Sequence, residues 1–368
     1  MAEGGGIIEK AVDAWMEKGA DVEEAVETFR RGTTRKVLFI IGCIVAAVVA
    51  VGVSVTIGDY NISFIDTYKV IWDHIMDNVN DPVADYVIFT WRMPRILTGL
   101  IAGAGLAAAG CVMQSILRNP LADTYTTGIS SGASFGASLA LGLGISVASG
   151  SFAVVMNAFV FSLIPMAVII LVMKMKGSQP SIMIMTGIAV MYIFNAAATL
   201  IRLRSDAETE AAIFAWSVGT IDVTSWVVPG TMVIFVVIGL TGLMLLSKKL
   251  NVVATGDESA RSMGVDAEVI RIVALLIISL MAAGIVSFTG LIGFVGLVCP
   301  HIARMVVGSD NRYLLPASAA FGSALLLFAD IVGRVITANN DIQVGVVMAF
   351  IGGPMFLYLI IRSRRGTW

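Results

Sequence analysis

Long uncharged stretches separated by short polar ones set the pattern of this chain. Residues 37–58, 96–117, 177–201, 223–247 and 342–361 are each free of charge over roughly 20 residues or more, the length a helix needs to cross a bilayer core. Residues 124–173 hold no charged side chain, enough for two helices with a turn near 142–150. Residues 313–333 supply one further span, with Asp330 near its end. The stretch 272–308 fits either one long helix or two shorter ones broken at Thr289-Gly290.

Charge decides between the two. The segment 248–271 and the tail 362–365 are both basic, so the positive-inside rule places both in the cytoplasm. Two points on one side are joined by an even number of crossings, and 313–333 and 342–361 already make two. The stretch 272–308 therefore supplies two more. The reading is an all-α, polytopic membrane protein of ten spans with both termini cytosolic. It divides into a cytosolic N-terminal extension (1–36), a transmembrane domain (37–361) and a short cytosolic tail (362–368). Of the 24 Lys and Arg, this topology leaves only Lys69, Arg92, Arg95, Arg202, Arg204 and Arg334 outside. The outer loop after the first span is instead acidic, with Asp59, Asp66, Asp73, Asp77, Asp81 and Asp85.

Composition agrees. The 368 residues are 57% hydrophobic and 14% charged, against roughly 25% charge in soluble domains. Mean hydropathy is +0.89. A soluble enzyme, a nucleic-acid binder and a disordered scaffold are all disfavoured. Cys43, Cys111 and Cys299 lie far apart in apolar surroundings, so neither a disulfide framework nor a structural zinc site is expected, and no metal or cofactor is assigned. The N-terminal segment is acidic and then basic, unlike a signal peptide; Val22, Val26 and Phe29 share one helical face, which predicts a short amphipathic helix.

Two functional classes compete. An ion-coupled secondary transporter places ionisable groups near the bilayer midplane. Here the ionisable side chains within spans stand toward their ends: His301 and Arg304 in one, Asp330 and Arg334 in another. The chain also contains no Gly-Lys dipeptide and so no P-loop. No catalytic constellation is present, and energy for transport is expected from a separate subunit. The cytosolic loop 248–271 is where that subunit would attach. There Thr255-x-x-Glu258 reads as a capping box opening a short helix, with Gly264 as its stop.

Three ordered blocks carry a resemblance. The first is Arg92-Met-Pro-Arg95, a Gly/Ala-rich span, then Arg118-Asn-Pro-Leu-Ala-Asp123 and Gly128-Ile-Ser-Ser-Gly132. The second is Leu250-Asn251 followed by Gly256-Asp-Glu-Ser-Ala-Arg-Ser-Met-Gly264. The third is Gly290-Leu-Ile-Gly-Phe-Val-Gly-Leu-Val-Cys-Pro-His-Ile-Ala-Arg304, continuing through Ala329-Asp330 and Gly345 to Gly353-Pro354. Over roughly residues 65–361 the chain resembles the FecCD-type permeases, the membrane subunits of ABC importers for ferric siderophores, haem and cobalamin.

The resemblance implies a type II importer permease of ten spans in the plasma membrane. It would work as a homodimer or close heterodimer with two ATPase subunits and an extracytoplasmic binding protein. It implies that Arg92, Arg95 and Arg334 dock acidic knobs of that binding protein, against the plainer reading of snorkelling anchors or an Asp330/Arg334 helical pair. Asn119 and Leu121 correspond to an inner gate, with Ser181 at the turn before the fifth span as a second gate candidate. Gly256, Asp257, Glu258, Arg261 and Gly264 belong to the segment that contacts the ATPase, with Asp257, Glu258 and Arg261 exposed for it. His301 is expected to make a structural hydrogen bond rather than bind haem or metal. Iron chelates are the first expectation for cargo, with cobalamin, haem and molybdate open; the N-terminal extension has no counterpart.

Overall fold

The computed structural model describes residues 32–58, 60, 62–336 and 342–362. The amphipathic segment around Val22, Val26 and Phe29 and most of the tail lie outside them. Among the described residues the chain is wholly helical. It comprises α1 (Gly32–Thr56) and then α2 (Phe64–Ile75), α3 (Pro82–Tyr86), α4 (Met93–Leu117), α5 (Ile129–Leu143), α6 (Ala153–Lys176), α7 (Pro180–Arg202), α8 (Ala207–Val218), α9 (Val227–Ala254), α10 (Asp257–Ser262), α11 (Ala267–Thr289), α12 (Val295–Val307), α13 (Asn311–Ile336) and α14 (Val344–Arg362). Seven are long and apolar enough to cross a membrane, and α5, α12 and the apolar part of α14 (Val344–Tyr358) are shorter apolar helices. Together they account for the ten expected spans.

Small side chains decide where the core sits. α4 reads Gly99, Ala102, Gly103, Ala104, Gly105, Ala107, Ala108, Ala109 and Gly110, and its most apolar window is 78% buried, against 22% for α1 and for α7. α4 is therefore the axis of the bundle, packed by α9, α11, α12 and α13. A Cβ at Gly103 would run into the carbonyl of Gly322 on α13, and one at Gly110 into that of Gly296 on α12. α5 meets α6 in the same way, through Gly132 against Phe161 and Gly136 against Asn157. In a bilayer such close backbone approach, rather than water exclusion, holds helices together.

α5 and α12 are short for a crossing: 15 and 13 residues rise only ~22 and ~20 Å of the ~30 Å hydrocarbon thickness. Each follows a non-helical segment, 118–128 and 290–294, which is buried in part, as irregular chain at membrane depth must be. Asp123, Thr124, Thr127 and Gly128 in the first, and Gly290 and Ile292 in the second, are buried.

Three boundaries differ from the sequence reading. α9 continues past Ser247 through Lys248 and Lys249 to Ala254, because the next helix breaker is Gly256 (φ 124°). α11 begins at Ala267, so the loop expected over 248–271 shrinks to a link holding α10. The supposed capping box does not form. α10 starts at Asp257 behind Gly256, without a side-chain cap, and the Thr255 hydroxyl donates back to the Val252 carbonyl (2.8 Å). The expected stop is present: Gly264 takes the left-handed conformation (φ 73°) just after α10. Three short helices, α2, α3 and α8, have no counterpart in the sequence reading. Each opens on a side-chain cap, Ser63 for α2, Asp81 for α3 and Asp206 for α8.

Candidate functional site

The chemistry-bearing side chains gather at the two ends of the bundle. At the Asp-rich end, α4 begins after a π-helical turn (Val87–Arg92). Arg95, one turn on, donates through Nε and Nη2 to Asp330 Oδ1 of α13 (3.1 and 2.9 Å) and through Nη1 to Asp222 Oδ1 in the α8–α9 link (3.2 Å). Arg334 pairs with the other oxygen of Asp330 (3.0 Å), as the i,i+4 reading expected. Asp330 is 2% exposed, so two guanidinium groups compensate one buried carboxylate.

Arg92 and Arg334 also share a second task. The last turn of any helix leaves carbonyls without partners. At the end of α1 the Arg92 guanidinium donates to Val55 O and, just beyond the helix, to Tyr60 O (2.7 Å). Arg334 donates to Ser54 O (3.1 Å) and to the Ser54 hydroxyl. Cations at a helix C-terminus are favourable both as donors and against the dipole. Three outward-facing arginines were expected; instead Arg92 is buried and turned onto backbone carbonyls, and Arg334 is largely enclosed. The Arg95 side chain is itself only 13% exposed, but its partner Asp222 stands in the open, with 63% of its side chain exposed.

At the opposite end, α4 stops at Leu117 and Arg118 turns left-handed (φ 48°). Asn119 then accepts from the amide of Leu121 through Oδ1 (2.9 Å), a side-chain-closed turn completed by Pro120. The turn presents Leu121 outward, 45% exposed. Behind it the buried Asp123 carboxylate accepts from the amides of Tyr125 and Thr126 (both 3.0 Å) and fixes the approach to α5. Ser181 is exposed on the first turn of α7.

α10 stands beside these turns. Glu258, Arg261 and Gly264 are exposed. Asp257, expected to be exposed with them, is instead half-buried against arginine: Arg271 of α11 grips both of its oxygens (3.0 and 2.5 Å), and Arg118 lies 3.6 Å away. The Arg271 hydrogen bonds hold the Asp257 carboxyl below its ordinary pKa. Arg271, with no exposed surface, also donates to Ile116 O at the end of α4 (3.2 Å) and to Ser178 O in the α6–α7 turn (3.0 Å).

A second polar knot locks the base of α9 to α13. Asn251 donates to Asp310 (2.7 Å) and accepts from both the backbone and the side-chain amide of Asn311 (2.8 and 2.9 Å). Arg312 and Asn251 together pull the Asp310 pKa down to about 2. Between this knot and the Asn119 turn opens a cavity of about 480 Å³, lined by Gln114, Arg118, Asn119, Asn251, Thr255, Arg304 and Asp310. His301 is half-buried one turn before Arg304, and no cluster of metal-ligating residues occurs among the described residues.

The structure thus joins Arg95 to Arg334 through Asp330, and joins the end of α4 just before the Asn119 turn, the turn before Ser181 and α10 through Arg271. Sequence reading missed Arg271, Asn251 and Asp310. The signal for Arg271 was available: a charged residue in the first turns of an otherwise apolar span must find partners.

Residues 39–362 match the FecCD transport family. The chain is 34% identical to the Fe(3+)-citrate import system permease protein YfmD of Bacillus subtilis over 91% of its own length and 97% of that protein. It is 38% identical to the cobalamin import system permease protein BtuC of Halobacterium salinarum, over 75% of its length and 74% of the relative. Among solved structures, an inward-facing ABC transporter assigned to the metal-chelate type superposes with a TM-score of 0.78 at 29% identity, covering 88% of this chain and 99% of that one.

Proposed function

The chain belongs to the FecCD transport family, and from that premise we propose that it is the permease of an importer for an iron chelate, worked by ATPase subunits that dock on α10. As a multi-pass membrane protein of an ABC-importer family it is a transport component. The finer assignments are our reading: ATP is hydrolysed by partner chains, the Asp-rich end faces outward toward a binding protein, the α10 end faces the cytoplasm, and two permease copies pair around the pathway. The charge pattern supports that orientation, since basic residues concentrate on the α10 side.

The observation that carries the proposal is α10 itself. A short polar helix exposes Glu258 and Arg261 while its first residue, Asp257, is anchored to the ends of two spans. Such a helix takes a push from outside the membrane and passes it inward. On this reading Asn119, Leu121 and Ser181 form the inner gate, and Arg95, with Asp222 beside it, is the residue of the three arginines best placed to meet an acidic partner. Cobalamin, haem and molybdate are the other cargoes the family relation admits.

The test is reconstitution of the permease with its ATPases and binding protein in liposomes. ATP-dependent uptake of ferric citrate or a ferric siderophore, absent without the ATPases, is the expected result. Uptake that continues without ATP and collapses with the proton gradient would overturn it in favour of a secondary transporter. Uptake of cyanocobalamin, hemin or molybdate instead would change the cargo alone.

A further inference from the structure

The Arg271 guanidinium is fully buried yet meets three separate elements at one point. Its Nε bonds the carbonyl of Ile116, in the last turn of α4 (3.2 Å). Its Nη1 bonds Ser178 O, in the turn leading into α7 (3.0 Å), and Asp257 Oδ2 at the start of α10 (3.0 Å), while Nη2 takes Asp257 Oδ1. The two carbonyls it holds stand three residues before Asn119 and three residues before Ser181. One planar group therefore ties α10 to both gate segments. A guanidinium is a rigid fork, so the directions of its partners are fixed relative to one another. Pulling any partner away strands a buried charge, which is costlier than moving all three together.

We propose that Arg271 is the positioning residue that makes α10, the Asn119 turn and the start of α7 move as a single body. Resting on the reading of α10 as the ATPase contact, this gives the gate a defined drive: displacement of α10 reaches both gate segments without slack. Arg118, on the far side of Asp257 at 3.6 Å, adds a second strut between α10 and the end of α4. A lysine at 271 keeps the charge, but its three donors radiate from one atom and lack the planar fork whose separate nitrogens reach these partners in fixed directions.

The experiment measures distances by pulsed electron–electron spectroscopy in the complete complex, with spin labels at Glu258 paired with Leu121 and, separately, with Ser181. Nucleotide-free and ATP-vanadate-trapped states are compared. In the protein with Arg271 intact, both separations are expected to hold within about 2 Å, the scale of a packed-interface shift. In Arg271→Gln and Arg271→Lys both distributions are expected to broaden and to depend on nucleotide, while ATP hydrolysis by the assembled complex continues. A change of about 5 Å or more on trapping in the intact protein, the scale of a one-turn slip between elements, overturns the proposal even if neither variant folds. Unchanged distributions in a folded variant overturn it equally. The underlying reading has its own readout, a Glu258→Cys crosslink to the ATPase. Absence of that crosslink defeats the assignment of α10, whereas the internal distances judge Arg271.

Discussion

Replacing Gly110 by alanine tests the claim that α4 is an axis defined by backbone contact. The added Cβ would overlap the Gly296 carbonyl oxygen and sit 2.5 Å from its carbon, where ordinary contact begins near 3.4 Å. The obstacle is backbone on α12, so no side chain can swing aside. The helices must part by roughly 1 Å, and a gap of that size forfeits about a quarter to a half of each dispersion contact along the face. The expected loss is about 1–3 kcal/mol, the usual cost of over-packing. Gly42, on α1, is the matched control, since a Cβ there meets nothing within 4 Å. Gly42→Ala should be neutral or, through helix propensity, stabilising by up to about 1 kcal/mol. The assay is the thermal midpoint of the detergent-solubilised protein, read by loss of the monodisperse peak. Gly110→Ala is expected to melt several degrees lower and Gly42→Ala no lower than the parent. Equal midpoints for the two variants would refute the reasoning.

The knot at the base of α13 yields two further expectations. Asn251→Ala removes the acceptor for the buried Asn311 and a donor to Asp310, and should cost about 2–3 kcal/mol; a midpoint within a degree of the parent would count against the knot. Asp310 titrates at about 2 when folded, below its ordinary 3.8, so its stabilising contribution is complete above about pH 4 and fades as pH falls toward 2. The midpoint gap between the parent and Asp310→Asn should therefore close over that interval, and a gap as wide at pH 2 as at pH 6 would contradict the assignment. At the Asp-rich end, Arg95→Gln should weaken binding-protein docking and flatten its salt dependence. Arg92→Gln should instead lower the thermal midpoint, and the opposite pattern would return Arg92 to the docking surface.

Ten spans were legible because charge and length act over whole segments: a 20-residue uncharged run has few other homes, and the parity of basic loops settled the doubtful stretch 272–308. The Gly/Ala-rich run from Gly99 to Gly110 is also plain in the sequence, and it is where α4 packs backbone to backbone on α12 and α13. What could not be read was direction. Arg92 and Arg95 sit three apart in one motif, yet one caps the end of α1 and the other reaches α13 and the α8–α9 link. The fold decides this, with Arg92 closing the π-turn and Arg95 standing in the first turn of α4, since the partners stand as far as 235 residues away. The same holds for Asp257, which looked like an exposed contact because its partner Arg271 had been assigned to the edge of a loop. The capping box failed for a local reason: Gly256 carries the chain into α10 at a φ no side-chain cap requires, leaving Thr255 to bond backward.

The two guanidiniums at the end of α1 bear on how the chain is made. The carbonyls near Val55 wait 37 residues for Arg92, and those near Ser54 wait 280 residues for Arg334. Along the chain the tip of α1 thus meets its Arg92 donor early and its Arg334 donor only after most of the sequence. This end of α1 is completed by the same helix, α13, that carries Asp330. A chain ending before residue 334 would keep the Arg92 bond to Val55 O and lack both Arg334 bonds at Ser54, leaving the tip of α1 held by one guanidinium instead of two.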